Sequence, residues 1–178
     1  MAAVHGTQPQ LDHTWVADFA KRWEAAWNSH EPERLLELMT EDIVYEDSAW
    51  PTTMRGHAAV REFLRFTWRA FPDLRFEMAD GPYIVPGEPK AAFYWKGTGT
   101  HDGPLEPPGF APTGKPIEFG GADFQEYRDG RVCRLRVVFD TMDLGRQIGT
   151  LPQAGSGLEK AAAAAQRLRV RARGRLRR

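Results

Sequence analysis

The segment from Ala91 to Gly149 decides the fold of this chain: AAFYWKGTGTHDGPLEPPGFAPTGKPIEFGGADFQEYRDGRVCRLRVVFDTMDLGRQIG. Its aromatic and β-branched residues fall in runs that predict three consecutive strands and a short closing helix. The Asp129-Gly130 pair between the last two runs is among the strongest short-range hairpin signals. The loop 103–114 is rich in proline and glycine, which is typical of a functional or mobile loop. We place these elements at about 91–100, 116–127, 131–140 and 140–149.

Upstream of this segment, apolar residues recur mostly at helical spacing. The predicted upstream elements are helices at 11–28, from Pro32 to about Met39 and at 56–71, and strands at 43–47 and 74–85. Helices followed by a run of strands indicate an α+β fold. We expect a curved antiparallel sheet that forms a cone, closed by the three N-terminal helices over an apolar pocket with a few polar groups.

The composition fits one soluble, cytoplasmic domain. A chain of 178 residues with 42% hydrophobic residues can build one sizeable core. The single cysteine, Cys133, excludes an intrachain disulfide, and no Cys/His cluster has zinc spacing, so we predict no metal and no cofactor. We also predict no membrane span and no signal peptide. The chain divides into a flexible leader (1–11), the domain (12–150) and a linker with a basic tail (151–178).

The tail carries much of the positive charge. Residues 158–178 hold eight Lys or Arg and one Glu, a net +7, which leaves −7 for the rest of a chain of net charge +0. Its alanine-rich first half can be helical, whereas arginine at every second position from Arg167 to Arg177 makes no helical face. A solvated, frayed tail is the simpler interpretation. The alternatives are nucleic acid, an anionic surface or a neighbouring subunit's acidic body, and the lack of interleaved aromatic residues disfavours nucleic acid.

Two polar residues at predicted strand ends are candidates for proton transfer. His101 ends the first of the three strands, and histidine exchanges protons near neutral pH. It is equally suited to a rim position bonded to the long loop. Asp47 ends the strand at 43–47, at the expected pocket mouth, with Tyr45 at the same parity; otherwise it caps the turn that follows. We expect Trp50, Trp95 and Phe110 to line the pocket, and we interpret Asp140 as the N-cap of the closing helix.

Several motifs are similar to one known family. They are GTHDG at 99–103, Pro112-Thr113-Gly114, FGGADF at 119–124, DGRV at 129–132, FDTMDLGRQIG at 139–149, AAWNSHEPERLLELMTEDIVYED at 25–47 and RGHAAVREFLR at 55–65. Over about residues 12–150 this set resembles the SnoaL-like branch of the nuclear transport factor 2-like superfamily. That branch includes polyketide cyclases of the aldol-condensation type and is related to ketosteroid isomerases and limonene epoxide hydrolases. The resemblance implies the cone fold, which hosts many chemistries and many non-enzymes.

The resemblance also implies where acid–base residues should lie. The aspartate base of the cyclases falls on Val137, and a cyclase histidine falls on Leu135, so both become apolar pocket candidates. A second cyclase histidine falls on Asp123, which then faces the pocket, where desolvation raises a carboxyl pKa and suits a general base. Pairing with a nearby Arg or Lys is the structural alternative. The Arg-x-Asp pair of the epoxide hydrolases falls on Lys96-x-Thr98, which disfavours that reaction.

Two functions follow from these residues. The first is a cofactor-free isomerase or cyclase acting on a hydrophobic, oxygenated small molecule, with Asp123 as base and His101, Tyr45 or Asp47 donating to the enolate oxygen. The second is a non-catalytic module that binds a ligand or stabilises a partner, which the apolar Leu135 and Val137 favour. The resemblance further implies a homodimer through the outer face of the sheet, although a solvated face fits the polar outward residues as well.

Overall fold

The computed structural model of the chain describes residues 11–175, with side chains up to Arg173. Of the predicted leader, only Leu11 falls within the described residues, and residues 176–178 of the tail lie outside them. The elements are α1 His13–Asn28, α2 Pro32–Leu36, β1 Met39–Asp47, β2 Met54–Arg55, α3 Gly56–Ala70, β3 Arg75–Ile84, β4 Lys90–Thr100, β5 Pro116–Arg128, β6 Arg131–Phe139, α4 Thr141–Ile148 and α5 Gly157–Arg175. No helix in this range is both long and apolar enough to cross a membrane.

The six strands form one open sheet in the order β2-β1-β6-β5-β4-β3. β3 to β6 run as an antiparallel meander, and the curved sheet of an α+β fold is confirmed. One pair departs from the antiparallel pattern, because β1 runs parallel to β6. A parallel pair needs a long crossover connection, which α3 and the meander provide here.

The hairpin between β5 and β6 is built as its sequence predicts. Asp129 has a φ of 52° and Gly130 a φ of 74°, the two positive values that a tight turn between twisted strands requires. The turn and a β-bulge between Glu126 and Tyr127 together set the register in which Asp123 faces Val137 across the two strands. A two-residue turn at one end of the sheet therefore helps to position the residues of the pocket.

The helices cover the concave face of the sheet. α1 packs on β3 and α3 packs on β1. Burial alternates along β4, β5 and β6, so that every second side chain meets the helices. The helical residues that fill this layer are Val16, Phe19, Trp23 and Trp27 of α1 and Val60, Phe63, Leu64 and Trp68 of α3. The core is thus rich in aromatic rings and lies between one sheet face and two helices.

Two predicted boundaries are wrong. The second helix ends at Leu36 rather than near Met39, because Met39 already pairs with Val132 and starts the nine-residue strand β1. The arginine segment of the tail also differs from the predicted frayed chain, since α5 continues to Arg175. Arginine is almost as good a helix former as alanine, and a helix without packing partners needs no apolar face. The predicted N-cap is confirmed: Asp140 Oδ1 accepts the backbone N–H of Asp143 at 2.9 Å.

Replacement of Gly121 by alanine is expected to destabilise the protein by about 1–3 kcal/mol, the range of overpacked cores. A Cβ at this position would lie 2.5 Å from the Trp95 ring and 2.7 Å from the Val138 carbonyl oxygen, so both would have to move. Urea unfolding midpoints measure the loss. Gly157→Ala is the matched control, because nothing lies within 4 Å of its added Cβ; equal stability of the two variants would contradict the packing argument.

Candidate active site

An apolar cavity of about 130 Å³ lies between the helices and the sheet. Ten aromatic residues line it: Trp23, Trp27, Tyr45, Trp50, Phe63, Phe71, Phe76, Trp95, Phe119 and Phe139. Of its four carboxylic acids, Asp47 and Asp123 reach it from β1 and β5 and Glu24 reaches it from α1. The loop after β4 contributes Leu105, Glu106 and Pro107 to its rim. This combination of a mostly apolar wall and a few polar groups is typical of a small-molecule site.

Asp123 is the most buried carboxylate of the cavity, with 4% of its surface exposed. Trp95 Nε1 donates to its Oδ1 at 2.7 Å, and Trp23 Nε1 donates to its Oδ2 at 3.0 Å. Gln125 Nε2 adds a longer bond to Oδ2 at 3.3 Å. Burial raises the pKa of Asp123 to about 6, although the three N–H donors oppose that shift by stabilising the carboxylate.

A buried relay holds the amide of Gln125 in place. The Tyr127 hydroxyl donates to Gln125 Oε1 at 2.6 Å, which leaves the amide N–H to face Asp123. The Tyr127 ring is fixed in turn by edge contacts with Trp15 and Phe19 of α1. The orientation of the Asp123 carboxylate is therefore set by residues of α1, β4 and β5 together.

Asp47 forms a second acidic group at the end of β1. Its Oδ1 accepts the Ala49 N–H at 2.8 Å, so it also caps the turn after the strand. Its Oδ2 accepts the Tyr45 hydroxyl at 3.3 Å. Burial, together with the nearby Asp123 charge, raises the pKa of Asp47 to about 6, while the two hydrogen bonds oppose this. Burial and the two carboxylates likewise raise the pKa of Tyr45, which stays a neutral donor.

The two carboxylates flank Val137 in one row across the sheet. Asp47 pairs with Val137 across β1 and β6, and Val137 pairs with Asp123 across β6 and β5. Neighbouring strands are spaced by about 4.8 Å, so the backbones of the two acids lie roughly 10 Å apart. Val137 is buried between them and lines the cavity. The position to which the resemblance assigned the cyclase base is thus apolar but has a carboxylate on each side.

The structure brings together six of the nine residues selected from the sequence. Asp123, Asp47, Tyr45, Trp50, Trp95 and Val137 all line the cavity. His101 does not: its ring is buried against Phe71, its Nδ1 lies 3.1 Å from Thr113 Oγ1, and burial lowers its pKa. The His101 carbonyl also accepts the N–H groups of Thr113 and Gly114, so this residue anchors the base of the long loop.

Phe110 and Leu135 also lie outside the cavity wall. Phe110 is 41% exposed, and it pairs with Leu105 in an isolated bridge that turns the loop back on itself. Leu135 is fully buried one row further along the sheet, where it pairs with Tyr45 and Gln125. The alternation of side chains along β6 correctly predicted that Leu135 lies on the inner face of the sheet. It does not show whether a residue on that face lines the cavity or packs in the closed core.

Trp23 and Gln125 are site residues that sequence reasoning missed. Both donate to Asp123, yet Trp23 reads as one of many apolar positions of α1. A buried tryptophan usually donates its N–H to a hydrogen-bond acceptor. This rule could have indicated that Trp23 contacts a polar residue of the site. Among residues 11–175, no three His, Cys, Asp or Glu side chains group as metal ligands. The predicted lack of a cofactor stays a prediction.

The raised pKa of Asp123 gives a pH signature in stability. The folded pKa of about 6 exceeds the unfolded value of about 3.9, so the folded state binds the extra proton between these values and stability falls as pH rises from 4 to 6. The shift corresponds to about 3 kcal/mol. We expect a clearly larger loss in the native chain than in Asp123→Asn, which keeps only the contribution of Asp47, whose pKa is also about 6. Denaturant unfolding at pH 4, 5, 6 and 7 tests this; parallel curves for the two proteins would refute it.

Comparison with known proteins agrees with this geometry. Residues 17–148 match the family described as SnoaL-like polyketide cyclase. A search of curated proteins found no match. Among solved structures, TsrD from Streptomyces laurentii is 25% identical with a TM-score of 0.66, covering 79% of this chain and 99% of that one. IdmH from Streptomyces antibioticus, a proposed polyketide cyclase, is 27% identical with a TM-score of 0.60, covering 75% and 97%.

A more distant structure shows the shared architecture. A protein with a ketosteroid isomerase-like fold from Catenulispora acidiphila, solved in complex with trimethylamine, is 17% identical with a TM-score of 0.62, covering 74% of this chain and 92% of that one. At this identity the likeness concerns the fold alone. The family match, by contrast, spans most of the chain and includes both acidic strands of the cavity. The chain therefore belongs to the SnoaL-like polyketide cyclase family.

Proposed function

We propose that the cavity binds a hydrophobic, oxygenated small molecule and that Asp123 removes a proton from the carbon next to its carbonyl group. The observation that carries this proposal is a carboxylate, 4% exposed, in an aromatic cavity with its pKa raised to about 6. A carboxylate of raised pKa is a stronger base than a solvated one, and at neutral pH most of it is still ionised. The reaction is a cofactor-free isomerisation or aldol-type ring closure.

Every proton transfer of such a reaction can be assigned to the substrate or to a group that lines the cavity. Asp123 takes the proton, and the C–H electron pair moves to form an enolate. Tyr45 or a protonated Asp47 donates a hydrogen bond to the enolate oxygen. Return of the proton to another carbon completes an isomerisation. Attack of the enolate carbon on a second carbonyl forms a C–C bond, and the new alkoxide takes the proton to complete a cyclisation.

The position of Val137 supports proton transfer by the carboxylates on the two neighbouring strands. The family's base position is apolar here, but the row Asp47–Val137–Asp123 keeps a carboxylate one strand away on either side. A substrate positioned over Val137 has an acid within reach in both directions. His101, which the sequence offered as a further donor, is not needed in this scheme because Asp47 and Tyr45 line the cavity.

A non-catalytic binding module is the second candidate. It is favoured by the three N–H donors that already engage both oxygens of Asp123, an arrangement that also suits a purely structural carboxylate. In that case the cavity holds its ligand without turnover. The distinction is chemical and can be made with one neutral ketone, because binding and proton exchange are separate measurements.

Exchange of the acidic C–H of 2-tetralone with deuterated water, followed by NMR, tests the enzyme proposal. We expect the protein to accelerate exchange and the rate to rise with pH through about 6, as Asp123 ionises. Asp123→Asn should lower the rate by about 10²–10⁴-fold, the usual share of a general base. Glu46→Gln is the control, because Glu46 pairs with Arg136 on the opposite face of the sheet. Binding without any exchange would support the module instead.

We propose that the chain forms a homodimer through the outer face of the sheet. Four apolar side chains that lie diagonal to one another on adjacent strands form a surface here called the outer patch: Tyr83, Tyr94, Phe124 and Val138. Each is between 40% and 55% exposed, which is unusual for large apolar side chains so close together. The simplest way to bury this patch is contact with the same patch on a second copy of the chain.

Phe124→Lys should weaken this dimer at least about tenfold, since a lysine in the middle of a buried apolar patch loses both packing and hydration. Light scattering coupled to size exclusion, over a range of concentrations, measures the change in mass. Met142→Lys is the matched control, because Met142 is 55% exposed on α4 and is not part of the outer patch. A native chain that stays monomeric at high concentration would overturn the dimer.

A further inference from the structure

The charged side chains of the cavity are all of one sign. Four carboxylic acids line it: Glu24, Asp47, Glu106 and Asp123. Among the side chains that the structure describes, residues 11–173, no lysine, arginine or histidine lines it. An anionic ligand would therefore meet carboxylates and find no opposite charge, which is unfavourable in a site of low dielectric. The negative charge of the lining side chains therefore selects against carboxylate and phenolate ligands.

We propose that the cavity is selective for an organic ammonium ion, with the charge between Asp47 and Asp123 and the apolar part against the tryptophan walls. This goes beyond the proposed proton transfer and rests on it only in that the cavity takes a small molecule. If both hold, the substrate is a hydrophobic ketone that carries an amine. An uncharged hydrophobic ketone would satisfy the proton-transfer proposal but not the ammonium proposal. The two proposals can therefore fail separately.

The aromatic wall supplies the second argument. Four tryptophans line the cavity, and tryptophan attracts cations to its ring face more strongly than phenylalanine or tyrosine does. Trp23 and Trp95 direct their N–H edges at Asp123, which holds each ring beside the carboxylate. These N–H edges are the electropositive sides of the two rings, so the attraction of the wall for a cation comes from ring faces that line the cavity away from Asp123. Aromatic rings combined with carboxylates are the usual elements of an alkylammonium site.

Of the four acids, only Glu106 is engaged by a described cation. Glu106 pairs with Arg69 at 3.0 Å, and Glu24 Oε2 accepts the Met78 N–H at 2.8 Å. Asp47 and Asp123 accept only neutral donors, so their negative charge is not compensated by any described cation. The remaining titratable groups at the site are the Tyr45 and Tyr127 hydroxyls, which are neutral donors with raised pKa values.

Binding of a permanent cation should be linked to proton release. Both acids have a pKa of about 6, and a cation between them favours their ionised forms. Affinity for the cation should therefore rise as pH increases from 5 to 7 and then level off. The affinity of a neutral ligand of equal shape should not rise over this range, because it gains nothing from ionised acids.

The test uses two probes of the same shape, phenyltrimethylammonium and tert-butylbenzene. Binding is followed through the indole N–H resonances of Trp23 and Trp95, assigned with the variants Trp23→Phe and Trp95→Phe, because these groups contact Asp123 directly. At pH 8 we expect the cation to bind at least about tenfold more tightly, in line with a desolvated cation–aromatic contact. We expect most of this preference to disappear at pH 5.

Asp47→Asn removes one charge and keeps an oxygen for the Ala49 N–H. It should reduce the preference for the cation several-fold, whereas Glu46→Gln, on the same strand but the outer face, should leave it unchanged. Equal affinities for the two probes, a preference that Asp47→Asn leaves unchanged, or no binding of the cation would each overturn the ammonium proposal. Exchange of 2-tetralone in the same sample shows separately whether the proton-transfer proposal stands.

Discussion

The buried carboxylate of Asp123 is the interaction on which the rest of the site depends. It lies on β5 and accepts indole N–H groups from Trp23 on α1 and Trp95 on β4. A buried carboxylate without partners is very unfavourable, so these contacts fix the packing of helix on sheet as well as the charge. Gly121 belongs to the same arrangement, because only a residue without a side chain leaves room for the Trp95 ring.

The balance of two opposing effects sets the chemistry available to that carboxylate. Burial favours the protonated form, and three N–H donors favour the ionised form. With burial alone the pKa of the acid would be higher, and a smaller fraction would be ionised and able to accept a proton at pH 7. With stronger donors it would be a weak base. The net value of about 6 leaves it ionised at neutral pH and yet more basic than a solvated aspartate.

Local signals in the sequence were sufficient for the strands, whereas the family resemblance placed Asp123 and Val137 in the pocket. Alternation along 116–139 and the Asp129-Gly130 turn predicted the hairpin, but not the one-residue bulge between Glu126 and Tyr127 that sets Asp123 opposite Val137. Contacts between distant segments were beyond reach: nothing local shows that Trp23 reaches Asp123, 100 residues away, or that β1 lies parallel to β6. His101 was misplaced for the same reason, since a strand-end histidine looks alike whether it faces a cavity or anchors a loop.

The apolar residue at 137 is physically coupled to the acids on either side of it. Side chains directly opposite on neighbouring strands lie about 5 Å apart, so a third carboxylate at this position would adjoin both Asp47 and Asp123. Like charges at that distance in a buried site cannot all ionise, and the pKa values would rise until the base was lost. Valine at 137 is therefore not simply a missing catalytic group. It is the spacer that allows two carboxylates to remain basic in one aromatic cavity.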